Sequence, residues 1–161
     1  MRIVASDAGP LICLGRLDLL LRLLPALFAD GQVPDRALLE CTSRWQSPDA
    51  ARISTAVAQG WLTACGPQQM IDGMLGRDER AAIARALAIG AGLLTDDQDT
   101  RAHAEFLQLT VVGTLSVLIR SKHAGLVPSV APLIDHLLAN GQRFGRTVVA
   151  QALAAAGKAP E

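Results

Sequence analysis

The chain has few aromatic side chains, with three Phe, two Trp and no Tyr among 161 residues. The bases of single-stranded nucleic acids stack on aromatic rings, so a binding surface built on such stacking is disfavoured. Charge of either sign is also in no excess, because 15 Lys and Arg residues balance 15 Asp and Glu residues. The chain as a whole therefore has no electrostatic attraction for nucleic acid or for an anionic membrane.

Cysteine and histidine are equally scarce. The cysteines Cys13, Cys41 and Cys65 are odd in number and form no C-x-x-C pair. This pattern disfavours a disulfide framework or a zinc site and is typical of small buried residues in a reducing cytosol. The three histidines show no H-E-x-x-H spacing either: His103, His123 and His136.

A long apolar run without charges is missing too. The leucine-rich stretch 11–28 contains Arg16, Asp18 and Arg22, and such charges are too costly at the centre of a bilayer. Asp7 interrupts the apolar core that a signal peptide would need. We therefore expect a soluble, cytoplasmic protein with no membrane partner.

What the chain does have is apolar content and enough length for a core. Hydrophobic residues make up 50% of it and charged residues only 19%, which excludes a disordered chain. Its length is that of one domain. We expect a single domain over residues 1–161, with the last few residues forming a disordered tail.

Short apolar segments alternate with segments of helical spacing along the chain. The predicted strands are 3–5, a stretch around 32–33, 61–65, 93–95 and 110–112. The predicted helices are 10–24, 35–44, 47–59, 76–89, 100–107, 114–122, 130–140 and 147–156. This alternation predicts an α/β fold of three layers, α/β/α, around a central and mainly parallel sheet. The first helix is rich in leucine on more than one face, so it is either deeply packed or covered by a partner chain.

Acidic residues follow two of the predicted strands. In the opening segment RIVASDAGP, Asp7 ends the first strand, and the run TDDQD follows the strand at 93–95. Because the carboxyl ends of parallel strands lie at one edge of a sheet, these acids are expected to meet, and two further acids on neighbouring helices lean toward them. The set is Asp7, Glu40, Glu79, Asp96, Asp97 and Asp99.

Several carboxylates in one place raise each other's pKa, and a divalent cation reverses that penalty. Mg²⁺ and Mn²⁺ prefer oxygen ligands and fill their remaining positions with water. A metal ion held there screens the charge of a phosphodiester and lowers the pKa of water. The constellation therefore suggests hydrolysis of phosphodiester bonds.

Each acid also has a simpler interpretation. Asp7 and Asp99 suit helix caps, Glu79 gains from a helix dipole, and Glu40 is an ordinary solvated helix residue. Only the adjacent pair Asp96–Asp97 resists this reading, because two neighbouring carboxylates add little as caps. The residues alone leave the metal site and the structural roles both open.

Four blocks of the sequence resemble the PIN-domain ribonucleases, and in particular the bacterial and archaeal PIN-like branch often found as toxins of toxin–antitoxin pairs. The blocks are VASDAGPLICLGRL, VPDRALLE, LGRDERAAIARALAIGAGLLTDDQDTRAHAE and VVGTLSVLIRSKHAGLVP. The resemblance extends from Arg2 to about Ala155. It implies an endoribonuclease that uses Mg²⁺ or Mn²⁺, forms a homodimer and, as a toxin, is blocked by a small antitoxin protein.

The resemblance also implies roles for individual residues. Asp7, Glu40, Glu79 and Asp97 match catalytic acids of the family, and Asp7, Glu79, Asp97 and Asp99 match its metal-binding positions. Residues that could support the site are Ser6, Asp96 and Thr114, the last of which equally suits a helix N-cap. Once five acids are neutralised by metal, the remaining charge is 15 − (15 − 5) = +5, and basic residues would line an RNA path. The candidates are Arg16, Arg44, Arg77 and Arg101, with Arg120 and Lys122 as further possibilities.

The alternative is a PIN-like module that binds protein or nucleic acid without catalysis. A haloacid-dehalogenase-type phosphatase is disfavoured, because Gly9 stands where that family needs a second Asp two residues after the first. A receiver domain is disfavoured by the order in which the acids occur along the chain.

Overall fold

Five parallel strands form a single sheet in the order β3-β2-β1-β4-β5. The computed structural model of the chain describes residues 2–44, 46–66, 69 and 71–157. The predicted disordered tail at the C-terminus lies outside these residues from 158 onward. Helices cover both faces of the sheet, which confirms the predicted three-layer α/β/α architecture. All four strand pairings are parallel.

Each predicted strand segment overlaps a strand in the structure, with ends that differ by at most a few residues. The strands are β1 Ile3–Ser6, β2 Asp30–Pro34, β3 Leu62–Cys65, β4 Gly92–Leu94 and β5 Val111–Val112. Alternate side chains of a strand point to opposite faces of the sheet. Accordingly, Val4 and Leu94 belong to one hydrophobic cluster and Ala5 and Leu93 to another. The sheet is therefore buried on both faces.

The helices match the predicted ones with one exception. They are α1 Ala8–Arg16, α2 Leu20–Leu27, α3 Asp35–Thr42, α4 Pro48–Ala58, α5 Arg77–Ile89, α6 Gln98–Phe106, α7 Thr114–His123, α8 Ala131–Ala139 and α9 Arg146–Gly157. The prediction of a single helix over 10–24 was wrong, because the helical conformation is interrupted at Asp18, whose φ is 57°. Aspartate tolerates this left-handed conformation better than most residues. The Asp18 carboxylate also lies 2.7 Å from Nε of Arg52 on α4.

The leucines of α1 and α2 belong to the core. Leu11, Leu14, Leu20, Leu23 and Leu24 are all fully buried. Of the two interpretations left open for this leucine-rich stretch, deep packing is therefore correct. It forms part of the larger cluster, which fills one side of the sheet, while α5 and α6 supply the smaller cluster on the other side.

The strand order creates a switch point in the sheet between β1 and β4. From β1 the chain proceeds to β2 and β3 on one side, and later returns to place β4 and β5 on the other. Loops that leave β1 and β4 therefore diverge to opposite faces of the sheet, and a crevice opens where they part. Asp7 follows β1 and the run Thr95–Asp97 follows β4, so the acidic segments border this crevice.

Candidate active site

A cavity of about 230 Å³, here called the acid pocket, lies at the carboxyl ends of β1 and β4. Of the described residues that line it, six are acidic and none is basic: Asp7, Glu40, Asp78, Glu79, Asp96 and Asp97, with Ala8 and Gly9. The structure thus brings together five of the acids expected from the sequence. It adds a sixth, Asp78, and leaves Asp99 outside.

Asp7 occupies the N-cap position of α1, but its side chain makes no capping hydrogen bond. Its Oδ2 instead accepts a hydrogen bond of 2.5 Å from Oγ1 of Thr95, which is fully buried. Its Oδ1 is buried and has no hydrogen-bond partner within the described part of the chain. A buried carboxylate oxygen without a partner is costly. Helix capping therefore does not account for Asp7.

Burial raises the pKa of Asp7 from 3.8 to about 7. The hydrogen bond from Thr95 opposes this shift, whereas the charges of Asp96, Glu79 and Asp97 add to it. The pocket thus penalises the ionised form of its most buried acid. A bound cation would remove that penalty.

Thr95 links Asp7 to the loop that carries Asp97. While Oγ1 of Thr95 donates to Asp7, the same oxygen accepts a hydrogen bond of 3.2 Å from the Asp97 backbone N–H. Asp97 is in turn the N-cap of α6, and its Oδ1 accepts hydrogen bonds from N and Oγ1 of Thr100 at 2.7 and 2.6 Å. One buried hydroxyl group therefore links two acids that follow different strands.

Asp96, whose role the sequence left open, is bonded to the start of α7. Its Oδ1 accepts from the backbone N–H of Thr114 at 2.7 Å, and its Oδ2 accepts from Oγ1 of Thr114 at 2.5 Å. Burial raises the pKa of Asp96, and these bonds to Thr114, with the nearby Arg101, act in the opposite direction. Adjacent carboxylates can thus serve as separate caps, because Asp97 caps α6 while Asp96 fastens the start of α7.

Thr114 is the first residue of α7, and the N-cap is Gly113. The interpretation of Thr114 as a helix N-cap was therefore wrong, although its hydroxyl group does contact an acid of the pocket. Gly113 lies so close to the site that a Cβ there would come within 3.0 Å of both Asp96 Oδ1 and Arg101 Nη2. A side chain at this position would push the two groups apart.

Glu79 reaches the pocket from the first turn of α5. Its carboxylate folds back over Gly76, the N-cap of that helix, so that a Cβ at Gly76 would collide with it. This location is favourable for a negative charge, because the N-terminus of a helix carries a partial positive charge.

Asp78 is the acid that the sequence analysis missed. Its carboxylate lies 3.3 Å from Nε of Arg36, so an ion pair joins α5 to α3 beside the pocket. Glu40, which lies on the same helix as Arg36, is exposed and lines the pocket. The signal for Asp78 was its place beside Glu79 in the run GRDE, but neighbouring helix residues point in different directions. Only the tertiary structure places both in one cavity.

The remaining predicted residues lie around or away from the acid pocket. The buried Ser6 donates a hydrogen bond of 2.8 Å to the carbonyl oxygen of Asp7 and so supports the backbone there. Asp99 is exposed in the first turn of α6 and is not part of the pocket lining. Lys122 donates to the carbonyl oxygen of Ala156, which ties α7 to α9. Of the four arginines predicted to bind RNA, Arg101 lines a cavity that adjoins the acid pocket, whereas Arg16, Arg44 and Arg77 line neither cavity.

The donor set of the acid pocket fits a hard divalent cation. All its charged side chains offer oxygen, and Oδ1 of Asp7 is buried without a partner among the residues that the structure describes. No three His, Cys, Asp or Glu side chains within that part of the chain are close enough together to enclose a metal ion. Mg²⁺ commonly uses only one or two carboxylates and keeps several waters. The pocket therefore suits a hydrated ion better than an ion enclosed by protein.

Fold and site define an α/β protein with an acidic pocket at the switch point of a parallel sheet. A family model, DUF3368, described as a PIN domain, matches residues 3–158, so the chain belongs to the PIN-domain family. This confirms the resemblance seen in the sequence. PIN domains are commonly nucleases. No curated protein matches the sequence.

A solved structure shares the fold of this chain. A PilT N-terminus domain protein from the hyperthermophilic archaeon Sulfolobus solfataricus P2 superposes with a TM-score of 0.51. The match covers 74% of this chain and 90% of that chain at 17% sequence identity. At this identity the likeness concerns the fold alone. In the described residues, no helix is long and apolar enough to cross a membrane.

Proposed function

We propose that this PIN domain is a metal-dependent endoribonuclease that hydrolyses RNA phosphodiester bonds in the acid pocket. The observation that carries the proposal is the Asp7 carboxylate, buried at the switch point with one oxygen unpartnered among the described residues and surrounded by further acids. Without a bound cation this arrangement is unfavourable, because a buried carboxylate oxygen lacks a partner and other acids lie close to it. It becomes favourable when a cation binds.

In this proposal Asp7, Glu79 and Asp97 hold a hydrated Mg²⁺ or Mn²⁺, partly through the water molecules of the ion, because no three such side chains enclose an ion directly in the described residues. The ion supplies screening of the phosphodiester charge and a lowered pKa of water. The chain's own residues supply the positioning. Thr95 is hydrogen-bonded both to the Asp7 carboxylate and to the Asp97 backbone, and so positions the two acids relative to each other. Thr100 orients the carboxylate of Asp97 by donating to it. Glu40 reaches the pocket from α3 and orients the attacking water by accepting its hydrogen bond.

The Asp97→Asn variant tests the proposal. Asparagine is as good an N-cap as aspartate, and its side-chain oxygen can still accept from Thr100. We therefore expect the fold and thermal stability to be kept, while cleavage of RNA in Mn²⁺ falls by at least about a hundredfold, the scale on which removing one stabilising group at a catalytic centre acts.

Asp135→Asn is the matched control, because this exposed aspartate of α8 does not line the acid pocket. It should cleave like the parent chain. Asp99→Asn tests the predicted ligand that lies outside the pocket, and we expect a smaller loss than for Asp97→Asn. Equal cleavage by the parent and Asp97→Asn, or full activity in excess chelator, would refute the nuclease proposal.

A second candidate function is a catalytically inactive PIN-like binding module. One observation favours it, namely that no three possible metal ligands in the described residues enclose an ion. A titration with Mn²⁺, followed by thermal unfolding, separates the two. A nuclease should gain about 2.7 kcal/mol at an ion concentration a hundred times Kd, and this gain should be lost in Asp7→Asn. A binding module should show no such gain.

The resemblance also supports a toxin that is a cytoplasmic homodimer with a small antitoxin partner. Three measurements test these predictions. Expression of the parent chain should arrest growth of a bacterial host, whereas Asp97→Asn should not. Light scattering after size-exclusion chromatography should give twice the mass of one chain. The protein encoded next to this one should co-purify with it and inhibit cleavage.

A further inference from the structure

A second cavity, of about 410 Å³, adjoins the acid pocket and shares Asp96 with it. We call it the arginine cleft. It lies between α6, the start of α7 and the segment that leads into α9. The polar and aromatic residues that line it include Asp96, Gln98, Arg101, Arg143 and Phe144, and Gly113 lines it as well.

The charge of this cleft is opposite to that of the acid pocket. Two arginines and one acid line the cleft, and both carboxylate oxygens of that acid, Asp96, are already bonded to Thr114. The cleft is thus the place beside the acids where positive charge is in excess. A phosphate group is the ligand that arginine recognises best through paired hydrogen bonds.

The two arginines are available to a ligand to different degrees. Arg101 forms an ion pair of 3.6 Å with Glu105 one helical turn away, and its side chain is 36% exposed. Such exposed pairs contribute little energy, so the guanidinium can be redirected at small cost. Arg143 is exposed and takes part in no ion pair within the described ranges. Arg143 is therefore the freer of the two.

Gly113 lines the arginine cleft beside Asp96, the residue that the two cavities share. A Cβ there would press on both the Arg101 guanidinium and the Asp96 carboxylate. Gly113 is also the N-cap of α7, and the N-terminus of a helix favours a nearby anion. The part of the cleft next to the acids is thus lined by a small residue at the N-terminus of a helix, which suits an anionic ligand.

We infer that the arginine cleft binds the phosphate next to the one cleaved in the acid pocket, with Arg143 and Arg101 as its contacts. The inference rests on the proposed function for the identity of the chain as RNA. A protein with zero net charge has no bulk attraction for RNA. A local positive site beside an acidic pocket supplies that attraction where the substrate must lie.

Binding of a short fluorescein-labelled oligouridylate, measured by anisotropy over a range of salt concentrations, tests the inference. Ca²⁺ replaces Mg²⁺ as a hard cation, and a gel verifies that the probe remains intact. We expect Arg143→Ala to weaken binding roughly three- to tenfold. It should also reduce the slope of log K against log salt by about 0.7, the value for one lost phosphate contact on a single strand. Arg101→Gln should act in the same direction.

Arg2→Ala is the matched control, because Arg2 precedes β1 and lies at the opposite edge of the sheet. It removes the same charge and should leave affinity and slope unchanged. Binding by Arg143→Ala that equals the parent's, or equal losses in all three variants, would overturn the inference. A parent chain that binds an acidic peptide but no RNA would overturn it as well.

The outcome for the cleft is separable from that for the nuclease. If Arg143→Ala loses affinity while the parent shows no metal-dependent cleavage, the cleft is a phosphate site and the proposed catalysis fails. If the parent cleaves RNA and Arg143→Ala binds normally, catalysis stands and the cleft has no part in it.

Discussion

The ends of β1 and β4 carry aspartates that look alike in the sequence and differ in the structure. Asp7 and Asp96 each follow a buried strand, and burial raises the pKa of both. Asp96 has both carboxylate oxygens bonded to Thr114. Asp7 has one oxygen bonded to Thr95 and the other without a partner among the described residues.

This difference separates a structural acid from a candidate functional one. The N–H and hydroxyl groups of Thr114 satisfy both oxygens of the buried Asp96 carboxylate. These bonds offset the cost of burying Asp96 and join the loop after β4 to α7. A buried oxygen without a partner costs stability and persists only where something else stabilises it. We therefore expect substitution of Asp7 to affect activity and substitution of Asp96 to affect stability, although both acids lie at the same edge of the sheet.

The largest effect is expected from Asp7→Asn. Its side-chain oxygen can still accept from Thr95, so the fold should remain, and the removal of a buried charge should not lower stability in chelator at pH 8. RNA cleavage should fall at least about a hundredfold, because a proposed metal ligand is lost. Cleavage assays and thermal unfolding of the same preparation check both. A variant that loses stability together with activity would make Asp7 a structural residue like Asp96.

The pH dependence of stability sharpens the comparison. With a folded-state pKa of about 7 and an unfolded value near 3.9, Asp7 holds its proton longer in the native state. The contribution of protonated Asp7 to the free energy of unfolding is therefore fully present below about pH 4. It is lost as the pH rises toward 7 and is absent above that pH. The loss amounts to about 4 kcal/mol at most.

Denaturant unfolding of metal-free protein at several pH values measures this loss as the difference between the parent chain and Asp7→Asn. The parent should lose stability relative to the variant between pH 4 and 7, and Mn²⁺ at pH 8 should restore it. Parallel pH profiles for the two proteins would contradict the proposed burial penalty.

Asp96→Ala should show the structural side of the comparison. It leaves N and Oγ1 of Thr114 without their acceptor, and we expect a loss of about 1–3 kcal/mol in the free energy of unfolding. Asp96→Asn keeps an acceptor and should lose less than half as much. Urea unfolding of both variants provides the measurement. If Asp96→Ala were more stable than the parent chain, burial of the Asp96 carboxylate would lower the stability of the fold, as is expected for Asp7.

The smallest effect is expected at the ion pair between α3 and α5. The Arg36 side chain is 65% exposed and that of Asp78 is 29% exposed, so the pair should contribute only about 0.2–1 kcal/mol. A double-mutant cycle with Arg36→Ala and Asp78→Asn measures the coupling. A coupling energy well above this range would show that the pair fixes α3 against α5 beside the acid pocket.

Much of the fold followed from short-range patterns. The segments IVA and LLT were predicted to be buried strands because they are brief and mostly apolar, and the run after GRDE was predicted to be a helix because of its helix formers. The one error in element number came from Asp18, where the leucine spacing continues through a break in the backbone. Hydrophobic periodicity records which residues are buried, and it does not record where the backbone turns.

The candidate site was only partly predictable. The acids at the strand ends were found because parallel strands share an edge, but which helix each acid caps was not. Asp96 bonds to a residue 18 positions away, and Asp78 and Arg143 reach their cavities through the packing of separate helices. Interactions of this range leave no periodic signal in the sequence.

By itself, the sequence determined that this protein alternates strands with helices and that its acids follow strands, because propensity and periodicity act over a few residues. Only the tertiary structure decided that β1 lies beside β4, that Asp7 keeps an unpartnered oxygen in the described structure while Asp96 does not, and that arginines gather beside the acids. Those outcomes depend on how distant strands pair and how helices pack over the sheet, and the whole chain settles them together.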